Sequence, residues 1–149
     1  TLFGPAGTGK TWLAVAMLNA RLAAAAAAEN DYLLARAGTS RFWNCSELVM
    51  RAGHHRLGAG PCPEVEGAMH ADVLILDDFG NEPRNPYIPL ILKKRMGNLQ
   101  ITIVTTGWTG KRILDEYGAG TFRSLTHGAR IISCAPGAPD PLANCGLAS

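Results

Sequence analysis

Eight residues near the start leave few folds open to this chain. Thr1-Leu2-Phe3 runs directly into Gly4-Pro5-Ala6-Gly7-Thr8-Gly9-Lys10-Thr11, and an alanine- and leucine-rich stretch without proline or glycine follows to about residue 28. Glycines at these spacings let the backbone turn with its N–H groups facing inward. The stretch after them has strong helix propensity, so the turn sits at a helix N-terminus, where unpaired amides and the helix dipole attract an anion. The pattern is a full G-x-x-x-x-G-K-T phosphate loop, placed between a strand end and a helix start.

The residue types follow from phosphate chemistry. Lys10 supplies a mobile positive charge for the β- and γ-phosphates of ATP, and Thr11 offers a hydroxyl to Mg2+. Gly4, Pro5, Ala6, Gly7, Thr8, Gly9, Lys10 and Thr11 are therefore expected to line a nucleotide site. A second element matches it. Val73-Leu74-Ile75-Leu76 is a continuous apolar run, the signature of a strand buried on both faces, and it ends in Asp77-Asp78. Asp77 is expected to hold the metal, through a water, and Asp78 to orient and polarise an attacking water. A buried strand with a polar end is common in α/β proteins; the upstream phosphate loop is what gives the two acids this meaning.

The remaining pattern alternates strands and helices. Strands are expected over 41–45, 71–76, 101–105 and 129–133. Helices are expected from the phosphate loop to 28, from a Ser46 cap to about Gly53, over 88–96, over 112–117 and over 121–126. The span 54–67, with Gly58, Gly60, Pro61 and Pro63, reads as loop, and Glu29-Asn30-Asp31 with Gly38 punctuate a connection. Such alternation argues for a three-layer α/β fold with a parallel central sheet. At 149 residues there is room for one core, expected over 1–135. The tail 136–149, rich in Pro, Gly and Ala, is expected to be disordered. Thr1-Leu2-Phe3 reads as the end of a strand whose start is truncated.

Composition sets further bounds. The formal charge of +2 is too small to argue for a nucleic-acid surface, and no apolar stretch is long enough to span a bilayer. Four cysteines at irregular spacings do not read as a disulfide scaffold, and a nucleotide site implies the cytoplasm. His54, His55, Cys62 and His70 fit no standard zinc spacing.

No N-K-x-D guanine signature and no L-S-G-G-Q run is present. What remains resembles the AAA+ ATPases, and among them the DnaC/IstB-like family of helicase loaders and transposition helpers. Four stretches carry the resemblance across most of the chain, to about Ser133. They are the phosphate loop; Phe42-Trp43-Asn44-Cys45-Ser46-Glu47-Leu48; Leu74-Ile75-Leu76-Asp77-Asp78-Phe79-Gly80; and, in family order, Leu92-Lys93-Lys94-Arg95-Met96, Ile101-Thr102-Ile103-Val104-Thr105-Thr106 and Arg123-Ser124-Leu125.

The resemblance implies an ATP-hydrolysing AAA+ core, lacking a lid after Ser133, that forms a homo-oligomer when ATP is bound. Its partners would be a replicative DNA helicase, or a transposase in the transposition reading, together with single-stranded DNA. It places Thr105 or Thr106 in the sensor 1 region, with Thr106 put forward as the catalytic hydroxyl; Gly107 stands where the family usually has asparagine. Arg123 resembles the arginine finger that reaches a neighbouring subunit's ATP, with Arg95, Arg112 and Arg130 as competitors. Arg51, Arg56, His54 and His55 either meet a phosphate backbone or form a solvated helix end. A nucleotide-dependent switch with little turnover is the rival from another class.

Overall fold

The computed structural model describes residues 1–27, 39–55 and 58–135, and residues 137, 140 and 142. Arg56, the expected connection over 29–38 and most of the expected tail lie outside the described residues.

The buried strand β3 (Val73–Phe79) organises the molecule. It lies between β2 (Arg41–Asn44) and β4 (Ile101–Thr106), and β4 is followed by β1 (Leu2–Phe3) and then β5 (Ile132–Ser133). Every pairing is parallel, and the sheet order is β2-β3-β4-β1-β5. Strand alternation sends Val73 and Ile75 to one face and Leu74 and Leu76 to the other. The first pair joins Leu2, Ile103 and Ala14 in a small cluster under α1 (Lys10–Ala27). The second joins a larger cluster under α2 (Cys45–His54), α3 (Pro63–His70), α4 (Tyr87–Gly97) and α5 (Gly110–Thr126). The expected three-layer α/β architecture with a parallel sheet is the one the chain adopts.

Several expected boundaries move for identifiable reasons. Helix α2 is capped by Asn44 rather than Ser46: the Asn44 side chain accepts from the Ser46 N–H at 3.0 Å and the Glu47 N–H at 3.4 Å. The span expected to be loop up to Gly67 contains α3, which begins with Pro63 in its first turn and places Glu64 and Glu66 where the helix dipole favours them. The two expected helical segments over 112–126 form one element, broken at Gly118, whose φ of 78° and ψ of 170° interrupt the helix. The last strand is shorter than expected, Ile132–Ser133.

Arg95 explains how α3, α4 and β4 hold together. Its guanidinium is fully buried and donates to the carbonyls of Ala68 at 2.9 Å, Met69 at 3.4 Å, Ala71 at 2.7 Å and Ile101 at 2.6 Å. These include carbonyls at the end of α3, which have no partner within the helix. Burial lowers its pKa to about 10, while the charge of Asp72 acts in the opposite direction.

Candidate functional site

The parallel registers bring the C-terminal ends of four strands together. Phe3 lies opposite Thr106, Asn44 opposite Asp77, and Phe79 opposite Thr106. In open α/β sheets this edge is where ligands bind, in the loops that follow the strands. The glycine loop leaves β1 here. Its first amide, Gly4 N–H, donates to the Thr106 carbonyl at 3.2 Å, which anchors the loop to β4. Gly7 and Gly9 adopt φ of 79° and 80°, a left-handed backbone that side-chain-bearing residues resist. Within the loop, the Thr8 hydroxyl donates to the Pro5 carbonyl at 2.9 Å and the Lys10 ammonium donates to the same oxygen at 2.8 Å. Lys10 is buried while Pro5, Ala6, Gly7 and Gly9 are exposed. The loop thus encloses its own lysine and opens its backbone to solvent at the start of α1.

Thr11 connects the loop to the acids. Its hydroxyl donates to Asp77 Oδ1 at 2.8 Å, and the Thr105 hydroxyl donates to the same oxygen at 2.6 Å. Two hydroxyl donors on one oxygen fix the carboxylate's orientation. Thr105 Oγ1 in turn accepts from the Asp78 N–H at 3.0 Å. Thr11, Asp77, Thr105 and Asp78 therefore form one connected chain across β3 and β4.

Asp78 is unusual in its backbone. Its φ is 58°, and it sits where the β3–β4 register shifts between Leu76 and Phe79. A bulge of this kind redirects a side chain out of the strand's alternation. A left-handed non-glycine residue costs of order 1 kcal/mol and persists only where its surroundings fix it.

The expected donor set suits its metal. Thr11 and Asp77 present a hydroxyl and a carboxylate, hard oxygen donors of the kind Mg2+ takes together with phosphate and water oxygens. Among the described residues no cluster of three His, Cys, Asp or Glu side chains forms a metal cage. Two such donors leave the remaining positions of an octahedral Mg2+ to phosphate and water oxygens. Negative charge does converge here. Burial pushes the Cys45 thiol well above its ordinary range, and the charges of Glu82, Asp77 and Asp78 add to that.

Other expected residues stand differently. Thr106, put forward as the catalytic hydroxyl, is fully buried; its hydroxyl donates to the Phe79 carbonyl at 2.8 Å and accepts from the Trp108 N–H at 3.0 Å. Thr105, not Thr106, touches the acids. Arg123 lies exposed in the last turn of α5, beyond the Gly118 break, and among the described residues its side chain makes no hydrogen bond or ion pair to the loop or the acids. Of its competitors, Arg95 is buried in structural bonds and cannot reach another subunit. Arg112 stacks over the Trp108 ring at 3.9 Å. Arg51 pairs with Glu47 at 2.8 Å and lies 5.5 Å from the centre of the Trp43 ring, while the His55 ring bonds the Gly60 carbonyl at 3.0 Å.

Two site residues had no sequence signal strong enough to single them out. Glu82 accepts from the Gly80 N–H at 2.7 Å and from the Tyr117 hydroxyl at 2.6 Å. Tyr117 lies against Phe79, with ring centres 4.8 Å apart.

No family sequence model and no curated protein matches this chain. Among solved structures, the crystal structure of the DnaC helicase loader matches with a TM-score of 0.67, covering 89% of this chain and 75% of that one. The chain has the fold of the DnaC helicase loader. The two sequences are 22% identical, so the likeness is one of architecture. No helix among the described residues is long and apolar enough to cross a membrane.

Proposed function

We propose that this chain binds ATP with Mg2+ and hydrolyses it, as the AAA+ core of a helicase-loader-type protein. The observation that carries the reading is the connected chain Thr11–Asp77–Thr105–Asp78 beside the glycine loop.

Each residue has a role that its position supports. The loop amides and the α1 N-terminus receive the phosphates, and Lys10 shifts from the Pro5 carbonyl to the β- and γ-phosphate oxygens. Thr11 and Asp77 would hold Mg2+, which would neutralise charge on the phosphoryl oxygens. Thr105 fixes the orientation of the Asp77 carboxylate by donating to its Oδ1. Asp78 orients the attacking water. Arg123 completes the site from a neighbouring subunit by stabilising charge on the γ-phosphate, which makes the active form a homo-oligomer. The partner is a replicative DNA helicase, by analogy with the loader whose fold the chain shares; single-stranded DNA is proposed from the family resemblance in sequence.

One observation favours a second reading. The Thr106 hydroxyl is engaged on both sides by backbone, and Gly107 offers no side chain, so a sensor 1 contact would fall to Thr105 alone. That arrangement suits a nucleotide-dependent assembly switch with slow turnover. Calorimetric titration with ATP separates a nucleotide site from a mere glycine turn. Binding that requires Mg2+ for full strength, weakened about 100-fold in Lys10→Ala, supports the proposal. Unchanged affinity in that variant would remove the phosphate loop from the account.

A further inference from the structure

We infer that Glu82, held by Tyr117, is the positioning residue that fixes Asp78 in its left-handed conformation; this rests on the role given to Asp78 above. Glu82 is only 7% exposed, and among the described residues no lysine, arginine or histidine pairs with it. A carboxylate buried without a cation persists only if hydrogen bonds replace its water. Two do. Oε2 takes the Gly80 N–H and Oε1 takes the Tyr117 hydroxyl, both at the short distances of charge-assisted bonds.

These bonds bracket the turn that leaves β3. The Asp78 carbonyl accepts from the Asn81 N–H at 3.2 Å, so the segment from Asp78 to Glu82 closes on itself, with Glu82 bonded to its middle residue. Gly80, at φ 100°, presses against Trp108 so closely that a Cβ would lie 2.6 Å from the indole. Trp108 therefore blocks the turn on one side, Glu82 holds its amide, and Thr105 holds the amide of Asp78. Together these contacts over-determine a backbone conformation that Asp78 would not keep alone.

Tyr117 gives the clamp its rigidity. Its ring lies against Phe79 and, at 6.1 Å between centres, beside Trp108, while its hydroxyl reaches Glu82. Burial, and after it the bond to Glu82, raises the phenol's pKa well above the ordinary value, so it remains a donor throughout the neutral range. Helix α5 thereby pins the exit of β3.

Two variants and two readouts test this. Tyr117→Phe keeps the ring and removes the donor; Glu82→Gln keeps the shape and removes the charge. ATP hydrolysis by the assembled protein should show kcat lowered about tenfold in Glu82→Gln and less in Tyr117→Phe, with KM within about twofold of the parent. Equal loss in kcat and 1/KM, or unchanged kcat at a temperature where both variants are folded, would overturn the inference. Amide hydrogen exchange at Asp78 and Gly80 provides a readout independent of turnover. It should be slow in the parent and faster in both variants, whichever of them is stable enough to measure. Unchanged exchange would show that the clamp does not hold Asp78. A parent that binds no ATP, yet shows this exchange pattern, would sink the nucleotide reading and leave the clamp standing.

Discussion

At the C-terminal edge of the sheet, polar side chains are tied to one another. Lys10 bonds the loop, Thr11 and Thr105 share one oxygen of Asp77, Thr106 joins two strand ends, and Glu82 holds the turn beyond them. Past Gly118, the second half of α5 presents Arg123 to solvent with no bond to that network. The contrast is between a part that one chain finishes alone and a part that one chain only offers. A preorganised network suits phosphate and metal binding, where fixed donors avoid reorganisation. An exposed arginine beyond a helix break suits a contact made with another copy. In this account binding belongs to the single chain and fast hydrolysis to the assembly.

The sharpest way to break that contrast is at Arg123. Arg123→Ala should leave ATP affinity within about twofold and lower assembly-dependent turnover by about 10³-fold, the scale of a lost arginine finger. Activity equal to the parent at every protein concentration would assign the finger elsewhere, with Arg112 and Arg130 next in line. A smaller effect is expected inside the network. Thr105→Val removes one donor from Asp77 and leaves the Asp78 N–H without its acceptor, so turnover should fall about tenfold while ATP binding without Mg2+ stays near parental. If Thr106→Val is the more damaging of the two, the assignment of Thr105 to the acids is wrong.

The smallest effect concerns pH. The Tyr117 pKa is raised above its ordinary 10.0, chiefly by burial. In the unfolded chain the phenol ionises first, so its contribution to stability is full below that value and is lost as pH rises beyond it. Thermal unfolding compared between about pH 9 and pH 11 should therefore show a smaller alkaline loss in Tyr117→Phe than in the parent. Parallel curves would mean that the Tyr117 phenol ionises as readily in the folded chain as in the unfolded one.

The network was legible from sequence where chemistry dictates residue order. A phosphate loop needs its glycines, lysine and hydroxyl in sequence, and an apolar strand ending in acids is visible as a block. What could not be read depends on register. Thr105 and Thr106 are neighbours that point to opposite faces, and only the bulged pairing with β3 decides which one meets Asp77. Asn44 and Ser46 are both good caps, and the point where β2 ends selects between them. Helix α3 was hidden by its own Gly67 and by the glycines and prolines before it, although Pro63 with Glu64 and Glu66 is a fair start signal. Arg95 looks like a surface residue of a basic helix because the carbonyls it collects come from two other segments, the end of α3 and the start of β4. Glu82 fits the same pattern: its two partners lie on either side of a tertiary contact.

ATP hydrolysis per subunit, measured with Mg2+ across a wide range of protein concentration, separates a site shared between subunits from one that a single chain completes. Specific activity should be near zero for dilute protein, climb as subunits assemble, and fail to climb in Arg123→Ala. A specific activity that is high and constant from the lowest concentration upward would show that one chain completes its own site and would rule out Arg123 acting in trans.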